Sequence, residues 1–353
     1  MASSLKVAAC HVSPVFLSAA KTTDKAISLI KRASKNGAKL VVFPETYIPA
    51  FPLWSAVRPP TENHDLFRRM ALESVYIDGD EVQAIQDAAK QTGTIVSLGL
   101  SEKVRHSSAC LFNSNALIGA DGTLMAHHRK LMPTFFEKLT WSPGDGHGLR
   151  VAETRSGKIG ALICGENTNP LARYALMAQG EQVHISTWPA IWPTRPPTAK
   201  GASSRTGAGG NYDNVTANRT RAAAHCFEAK CFGVMCAGHL GPDAIEVITD
   251  GAGSPEMVSE ALRTMPRAPT MFLDPTGTPL TGYTIDDAGD ASGTTTPAEF
   301  LQNEEGVLYA DLDLGDCIEG KQYHDVVGGY QRLDVFDLKV DRSRRGPATF
   351  VDS

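Results

Sequence analysis

Glu45 comes directly after a continuous apolar run at 40–43 (LVVF) and Pro44. Such a run is typical of a strand that is buried on both faces. A carboxyl group at the end of a buried strand is poorly solvated, and burial raises its pKa toward the range of a general base. A glutamate in this position can also cap the turn that follows. The pattern therefore indicates either a proton acceptor or a turn cap.

Lys130 belongs to the basic cluster 127–130 (HHRK), which leads into the apolar residues 131–133 (LMP). A cluster of basic side chains is commonly a solvated face. Because apolar residues follow, Lys130 can instead point inward and offer a fixed positive charge to a developing anion. Glu137, seven residues farther on, is placed to neutralise or orient that charge.

Cys164 ends the apolar run 159–163 (IGALI), and Asn169 and Pro170 are typical of a helix start shortly afterwards. A strand that turns sharply toward a helix can expose a nucleophile at the edge of a sheet. Gly165 permits a close approach of the backbone, and Lys130 with nearby helix N–H groups favours a thiolate. The alternative is a structural cysteine.

The remaining cysteines and the histidines show no pattern of metal ligation. The chain has seven cysteines, an odd number spread over a long sequence without a CxxC pair, which argues against a disulfide framework. None of the ten histidines belongs to an HExxH motif. We therefore expect no metal site. The cysteines interpreted as inert packing residues are Cys10, Cys110, Cys226, Cys231, Cys236 and Cys317.

Segments that alternate between strand and helix patterns separate the three candidate residues, and this alternation predicts an α/β fold. Strands are expected at 6–10, 39–43, 94–100, 111–118, 123–127, 158–163, 182–187, 231–237, 271–273 and 307–311, and helices at 24–36, 80–93, 171–179 and 217–229. Small and polar residues predict loop insertions at 198–210 and 288–297. Because the candidate residues must converge, we expect one catalytic domain at 1–338 and a polar C-terminal tail at 339–353.

Composition excludes several classes of protein. Of the 353 residues, 42% are hydrophobic and 21% are charged, which suits a folded core. The net charge of −5 provides no basic surface for nucleic acid. No apolar run approaches the ~18 residues that cross a bilayer, and residues 5–11 are interpreted as a core strand rather than a signal peptide. We therefore expect a cytoplasmic protein without nucleic-acid or membrane partners.

Taken together, the motifs resemble those of the nitrilase (carbon–nitrogen hydrolase) superfamily. The resemblance rests on 43–45 (FPE), 128–134 (HRKLMPT) and 164–167 (CGEN), and it extends from Lys6 to about Leu338. The form of 129–134, with Glu137 following, is similar to the true-nitrilase branch. The resemblance implies a four-layer αββα sandwich.

The resemblance also implies a mechanism for hydrolysing a nitrile to a carboxylic acid and ammonia without a cofactor. Glu45 would act as general base, Cys164 as nucleophile, and Lys130 as the stabilising cation, with Glu137 orienting Lys130 or the substrate. The intermediates would be a thioimidate and an acyl-thioester. The partners would be a small nitrile, water and other copies of the chain, which would pair through 171–179 or 217–229 and build larger homo-oligomers or spirals.

Two positions depart from the family pattern. Gly165 stands where many nitrilases have tryptophan, and Gly329 stands where the family often has histidine. The first departure is expected to reshape the substrate pocket. The candidate pocket residues, chosen because they lie near the motifs, are Trp54, Thr134, Phe135, Gly165, Trp188 and Trp192.

Three alternatives remain at this point. The same three side chains can serve an amide hydrolase, or a nitrile or cyanide hydratase that stops at the amide. The chain could also be a non-catalytic scaffold that binds a small molecule. The identity of the product separates these functions from one another.

Overall fold

A computed structural model describes residues 4–195, 210–211, 213–286 and 293–351 of the chain. Two β-sheets form its centre. The first has the strand order β13-β12-β15-β1-β2-β3-β4-β5, and the second has the order β11-β10-β9-β8-β7-β6, with β14 paired to β10. The strands are β1 (Ser4–His11), β2 (Leu40–Val42), β3 (Ile95–Val104), β4 (Ser107–Ile118), β5 (Leu124–Arg129), β6 (Ala152–Thr154), β7 (Gly157–Ile163), β8 (Val183–Trp188), β9 (Phe232–Ala237), β10 (Thr270–Leu273), β11 (Pro279–Leu280), β12 (Gly282–Ile285), β13 (Thr295–Ala298), β14 (Phe300–Leu301) and β15 (Gly306–Asp313).

Helices cover the outer face of each sheet. They are α1 (Ala19–Lys35), α2 (Trp54–Val57), α3 (His64–Glu73), α4 (Asp80–Thr92), α5 (Pro170–Met177), α6 (Asn214–Ala229), α7 (Pro242–Thr249), α8 (Pro255–Thr264) and α9 (Asp316–Glu319). Short 3-10 helices lie at Pro60–Glu62, Phe135–Leu139, Gly146–Gly148, Cys164–Thr168 and Gly320–Gln322.

The alternation of side chains along each strand produces four layers. Along β1, Val7 packs in the core between the two sheets, while Ala8 packs in the core under the helices. The core between the sheets also contains Ile185 of β8. Helices α1 and α4 cover the first sheet, and Cys226 of α6 packs against the second. The predicted single-domain αββα sandwich is confirmed.

Local signals in the sequence account for the elements nearest the site. The Asn169 side chain accepts hydrogen bonds from the amides of Leu171 and Ala172 and so caps α5, whose first residue is Pro170. Helix α4 ends at Gly93, which adopts the left-handed conformation with φ 63°. These boundaries agree with those that the sequence predicts.

Some elements differ from the prediction. Helix α1 begins at Ala19, five residues before the predicted start. The loop predicted at 288–297 is wrong at its end, because Thr295–Ala298 forms β13 and pairs with β12. Consecutive threonines followed by a proline at an edge strand give only a weak strand signal. The loop predicted at 198–210 lies outside the described residues except for Gly210.

The C-terminal segment has no helix or strand through residue 351. It nevertheless contacts the first sheet, because Arg344 forms an ion pair with Asp145 at 2.8 Å and a 2.7 Å hydrogen bond to Nδ1 of His127. Among the described residues, no helix is long and apolar enough to span a membrane.

Candidate active site

The ends of three strands bring the candidate residues together. Glu45 follows β2, Lys130 follows β5 of the same sheet, and Cys164 follows β7 of the other sheet. One oxygen of Glu45, one of Glu137 and the sulfur of Cys164 lie within 4.8 Å of one another. All four side chains, that of Lys130 included, are buried. The site therefore lies where the two sheets meet.

A glycine on the neighbouring strand makes room for the turn that carries Glu45. A Cβ atom at Gly99 of β3 would lie 2.0 Å from the carbonyl oxygen of Pro44 and 2.7 Å from the amide nitrogen of Thr46. Any side chain at position 99 would therefore displace this turn. The packing explains why Glu45 can reach the centre of the site.

Lys130 bridges the two carboxylates. Its Nζ atom lies 2.8 Å from Oε1 of Glu45 and 2.8 Å from each carboxylate oxygen of Glu137, and none of the three side chains is exposed to solvent. The Oε2 atom of Glu137 also accepts a 2.7 Å hydrogen bond from the amide of Thr134. Burial alone would lower the pKa of Lys130, but the charges of Glu137 and Glu45 help to raise it well above its ordinary value. Lys130 is therefore a fixed cation.

Glu45 has one occupied and one free carboxylate oxygen. Oε1 accepts hydrogen bonds from Lys130 and, at 2.7 Å, from Nδ2 of Asn113, whereas Oε2 is buried without a partner among the described residues. Burial raises the pKa of Glu45 to about 7, with the Glu137 charge acting in the same direction and Lys130 opposing it. A carboxylate with this pKa and a free oxygen near a thiol is suited to proton transfer.

Cys164 has a strained backbone at the turn between β7 and the 3-10 helix Cys164–Thr168. Its φ of 51° lies in the left-handed region, which is unusual for a residue with a side chain. Burial and the Glu45 charge raise the pKa of the thiol well above its ordinary value, and they outweigh the opposing effect of Lys130. Lys130 thus acts in the direction that the sequence predicts, but burial and the Glu45 charge outweigh it. The resting group is a thiol, which needs a base.

A buried carboxylate ties the Lys130 strand to the Cys164 turn. Glu166 accepts hydrogen bonds from His128 Nε2 at 2.6 Å, from the amide of Ile163 at 2.6 Å and from the amide of Leu131 at 3.0 Å. His128 and Leu131 precede and follow Lys130 by two residues and one residue, and Ile163 directly precedes Cys164. Glu166 thus fixes the two elements relative to each other.

A second buried network holds the Cys164 turn from the side of the second sheet. Asn167 donates to the carbonyl of Cys164 at 3.0 Å, and its Oδ1 lies 2.8 Å from His184 Nε2. The other ring nitrogen of His184 lies 2.9 Å from Glu181, whose pKa is lowered to about 2 because attraction to His184 and His225 outweighs the opposing effect of burial. This chain of contacts links the Cys164 turn through Asn167 and His184 to Glu181.

The described part of the chain contains a cavity of about 180 Å³ that opens on Cys164. Of the candidate pocket residues, four line it: Thr134, Gly165, Trp188 and Trp192. Trp54 is instead buried in a core cluster, where it packs edge-on against Phe16. Phe135 is 68% exposed. Neither Trp54 nor Phe135 is among the lining residues.

The sequence of this chain matches the model of one family along most of its length. The match to the carbon–nitrogen hydrolase family covers residues 6–322. The chain belongs to the carbon–nitrogen hydrolase family. The predicted resemblance to the nitrilase superfamily is confirmed.

Relatives of this hydrolase include proteins named nitrilases. A nitrilase of Pseudomonas syringae pv. syringae is 34% identical over 334 residues, which cover 95% of this chain and 89% of the relative. A bromoxynil-specific nitrilase of Klebsiella pneumoniae subsp. ozaenae is 32% identical, with 98% of this chain and 87% of the relative covered. The crystal structure of Saccharomyces cerevisiae Nit3, a member of branch 10 of the superfamily, has a TM-score of 0.63 at 17% identity, covering 93% of this chain and 97% of Nit3, and supports the fold.

Sequence reasoning missed several polar residues of this hydrolase site. Asn113 lies on β4 and is followed by Ser114 and Asn115, so three consecutive polar residues stand within a predicted strand. All three are buried, and buried polar groups need hydrogen-bond partners. Three residues of α6 also line the cavity beside Cys164. The sequence predicts a helix at 217–229, but not which of its residues meet a cavity. The missed lining residues are Thr168, Asn214, Asn218 and Arg221.

Two groups of described side chains are close enough to hold a metal ion. One is Glu45, Glu137 and Cys164, and the other is Glu181, His184 and His225. In the first group, Lys130 already forms ion pairs with both carboxylates. In the second, both histidines are hydrogen-bonded to Glu181. The expectation of no metal stays a prediction.

Proposed function

We propose that this carbon–nitrogen hydrolase converts an organic nitrile and two water molecules to a carboxylic acid and ammonia. The observation that carries the proposal is the buried Glu45 carboxylate, which has one oxygen within 4.8 Å of the Cys164 sulfur, a free Oε2 among the described residues, and Lys130 alongside. Full-length similarity to proteins named nitrilases favours the nitrile as the substrate class.

In the first step, the Cys164 sulfur attacks the nitrile carbon. Glu45 removes the thiol proton and delivers it to the nitrile nitrogen, which yields a thioimidate. The raised pKa of Glu45, about 7, lets this group accept and release a proton near neutral pH. The raised pKa of the thiol explains why the base must act during the attack rather than before it.

Lys130 stabilises the negative charge that develops on nitrogen, and later on oxygen, in the tetrahedral intermediates. The backbone N–H of Gly165 assists it. Glu137 acts as a positioning residue, because its two oxygens hold the Lys130 ammonium at 2.8 Å. A mobile lysine would lose this pre-organised orientation.

The second half of the reaction uses the same groups. Water adds to the thioimidate carbon while Glu45 transfers a proton from the water to the nitrogen. Glu45 then transfers the remaining hydroxyl proton to the same nitrogen, the carbon–nitrogen bond breaks, and ammonia leaves. A second water molecule hydrolyses the resulting acyl-thioester and regenerates the thiol. Neither step requires a metal or a redox cofactor.

A panel of aliphatic, aromatic and arylaceto nitriles tests the proposal, with acid, amide and ammonia all quantified. We expect acid and ammonia in equal amounts, and no turnover by Cys164→Ala. Cys110→Ala is the matched control, since this half-buried cysteine does not line the cavity. Amide as the sole product would identify a hydratase, and hydrolysis of amides alone would identify an amidase.

We also propose that the chain assembles as a homo-oligomer through α5 and α6. Leu171 of α5 is 62% exposed and Phe227 of α6 is 45% exposed, and such apolar side chains favour an interface. Light scattering of the wild type and of Leu171→Asp/Phe227→Asp tests this. A monomeric wild type would contradict it.

A further inference from the structure

Among the described residues, the cavity beside Cys164 has one charged side chain at its wall, that of Arg221. The other lining residues, apart from the nucleophile, are neutral, and they include the hydrogen-bonding side chains of Thr134, Thr168 and Asn218. Arg221 and Cys164 therefore face the same enclosed space. A cation in this position interacts directly with any substituent of the substrate that is remote from the reacting carbon.

The guanidinium group of Arg221 is held in a fixed orientation. Its Nε donates to the carbonyl of Ala217 at 3.0 Å, and one terminal nitrogen, Nη2, donates to Oδ1 of Asn218 at 2.9 Å. The guanidinium carbon lies 4.6 Å from the centre of the Trp188 ring, over its face. Stacking on one side and hydrogen bonds along one edge leave Nη1 as the donor without a partner among the described residues. The group is pre-organised to receive an acceptor.

The charge of Arg221 has no carboxylate to balance it in the part of the chain that the structure describes. Among the described residues, no aspartate or glutamate forms an ion pair with Arg221, although Arg173 on the neighbouring helix α5 pairs with Glu228 at 2.7 Å. The sequence between Glu181 and Asp213 contains no acidic residue and contains Arg195, Lys200 and Arg205. A partly buried cation without a counter-ion favours a ligand that brings the negative charge.

We propose that Arg221 recognises a carboxylate on the substrate, and that the substrate class is therefore short cyano-carboxylates rather than uncharged nitriles. This inference rests on the proposed nitrile hydrolysis. The guanidinium fork matches a carboxylate in two-point hydrogen bonding, and Asn218 and Thr168 supply further polar contacts. The cavity volume is consistent with a short substrate, because about 180 Å³ is well below the roughly 300–1,000 Å³ of pockets for drug-sized ligands.

Binding to a variant without the nucleophile tests this independently of turnover. Cyanoacetate, 3-cyanopropanoate and 4-cyanobutanoate are titrated by calorimetry into Cys164→Ala, each beside its uncharged methyl ester. We expect at least one acid to bind tenfold or more tightly than its ester. In Cys164→Ala/Arg221→Gln this preference should disappear.

A matched control uses another arginine of the same helix. Arg219 is exposed and does not line the cavity, so Cys164→Ala/Arg219→Gln makes the same change of charge elsewhere. The preference for the acid should persist in this variant. Equal binding of acid and ester to Cys164→Ala, or a preference that survives in the Arg221→Gln double variant, would overturn the proposal.

Turnover by the wild type separates this inference from the proposed function. Hydrolysis of the methyl esters' nitrile groups without any preference for the acids would support nitrile hydrolysis and overturn the role of Arg221. Tight, Arg221-dependent binding of the acids without release of ammonia would support carboxylate recognition and overturn the proposed hydrolysis.

Discussion

Glu166 accepts a 2.6 Å hydrogen bond from His128, and both side chains are buried between the two sheets. His128 belongs to β5, which carries Lys130, whereas Glu166 belongs to the turn that carries Cys164. Nδ1 of His128 has no partner among the described residues, so the imidazole donates through Nε2 alone. This hydrogen bond connects the strand of Lys130 to the turn of Cys164. Neither His128 nor Glu166 lines the cavity.

Glu166→Gln should lower kcat more than it raises KM, because an amide cannot accept from three donors at once. Each buried donor left unpaired costs about 1–3 kcal/mol of unfolding free energy. Urea unfolding and steady-state kinetics measure the two effects. The control is Glu153→Gln, which changes an exposed carboxylate paired with Lys158 on the next strand. Equal kinetics for the two variants would refute the positioning role.

Lys130→Met should abolish turnover and destabilise the fold. The substitution leaves the Glu45 and Glu137 carboxylates in a site without solvent and without a cation. Breaking a buried pair in this way costs about 3–5 kcal/mol. Urea unfolding measures the loss.

The triple variant Lys130→Met/Glu45→Gln/Glu137→Gln supplies the control for this prediction. It removes all three charges, so most of the lost stability should return while activity stays absent. If the triple variant is as unstable as Lys130→Met alone, packing of the lysine side chain rather than its charge explains the loss.

The pH dependence of kcat/KM should report Glu45. This group acts as a base only when it is deprotonated, and its pKa is raised to about 7. The value of kcat/KM should therefore fall as the pH drops below 7 and reach about one hundredth of its plateau at pH 5. An acid limb near pH 4.5, the ordinary value for glutamate, would contradict a buried base.

Two variants should move this acid limb in opposite directions. Glu137→Gln removes a neighbouring negative charge that raises the pKa of Glu45, so the limb should shift to lower pH. Asn113→Ala removes a hydrogen bond that lowers this pKa, so the limb should shift to higher pH. The position of the limb can be read even where the rate is reduced. Shifts of the same sign in both variants would argue against Glu45 as the titrating group.

Gly165→Ala should lower kcat/KM by crowding the cavity. A Cβ atom at this position would lie 2.7 Å from Oγ1 of Thr134, whose backbone amide donates to Glu137. Removing the hydroxyl in Gly165→Ala/Thr134→Ala should relieve the crowding, so the double variant should lose less activity than the two single variants predict together. If the losses of activity in the two single variants simply add in the double variant, the effect of Gly165→Ala does not arise from contact with the Thr134 hydroxyl.

Much of this arrangement is predictable because it depends on local patterns. The apolar runs before Glu45 and Cys164 predict strand ends, and the Asn169–Pro170 pair predicts the start of α5. The order of the motifs along the chain then requires one domain. These features depend on residues that are close together in the sequence, so the sequence alone is enough to predict them.

Other features depend on contacts between distant segments. Arg221 lies on the predicted helix 217–229, yet only the packing of α6 beside Trp188 places it at the cavity. Trp54 is an apolar residue near a motif, but the fold buries it beside Phe16 instead. The resting state of Cys164 depends on how burial and the Glu45 charge outweigh Lys130, and a linear sequence does not contain that balance.

The formation of a covalent bond by Cys164 is the central claim, and mass spectrometry of the working enzyme tests it most directly. The wild type is mixed with a nitrile that it hydrolyses, quenched with acid during turnover and digested. We expect the peptide that contains Cys164 to carry the thioimidate or acyl adduct, and we expect no adduct in Cys164→Ala. Turnover with Cys164 unmodified, or an adduct on another residue such as Cys110, would contradict the account.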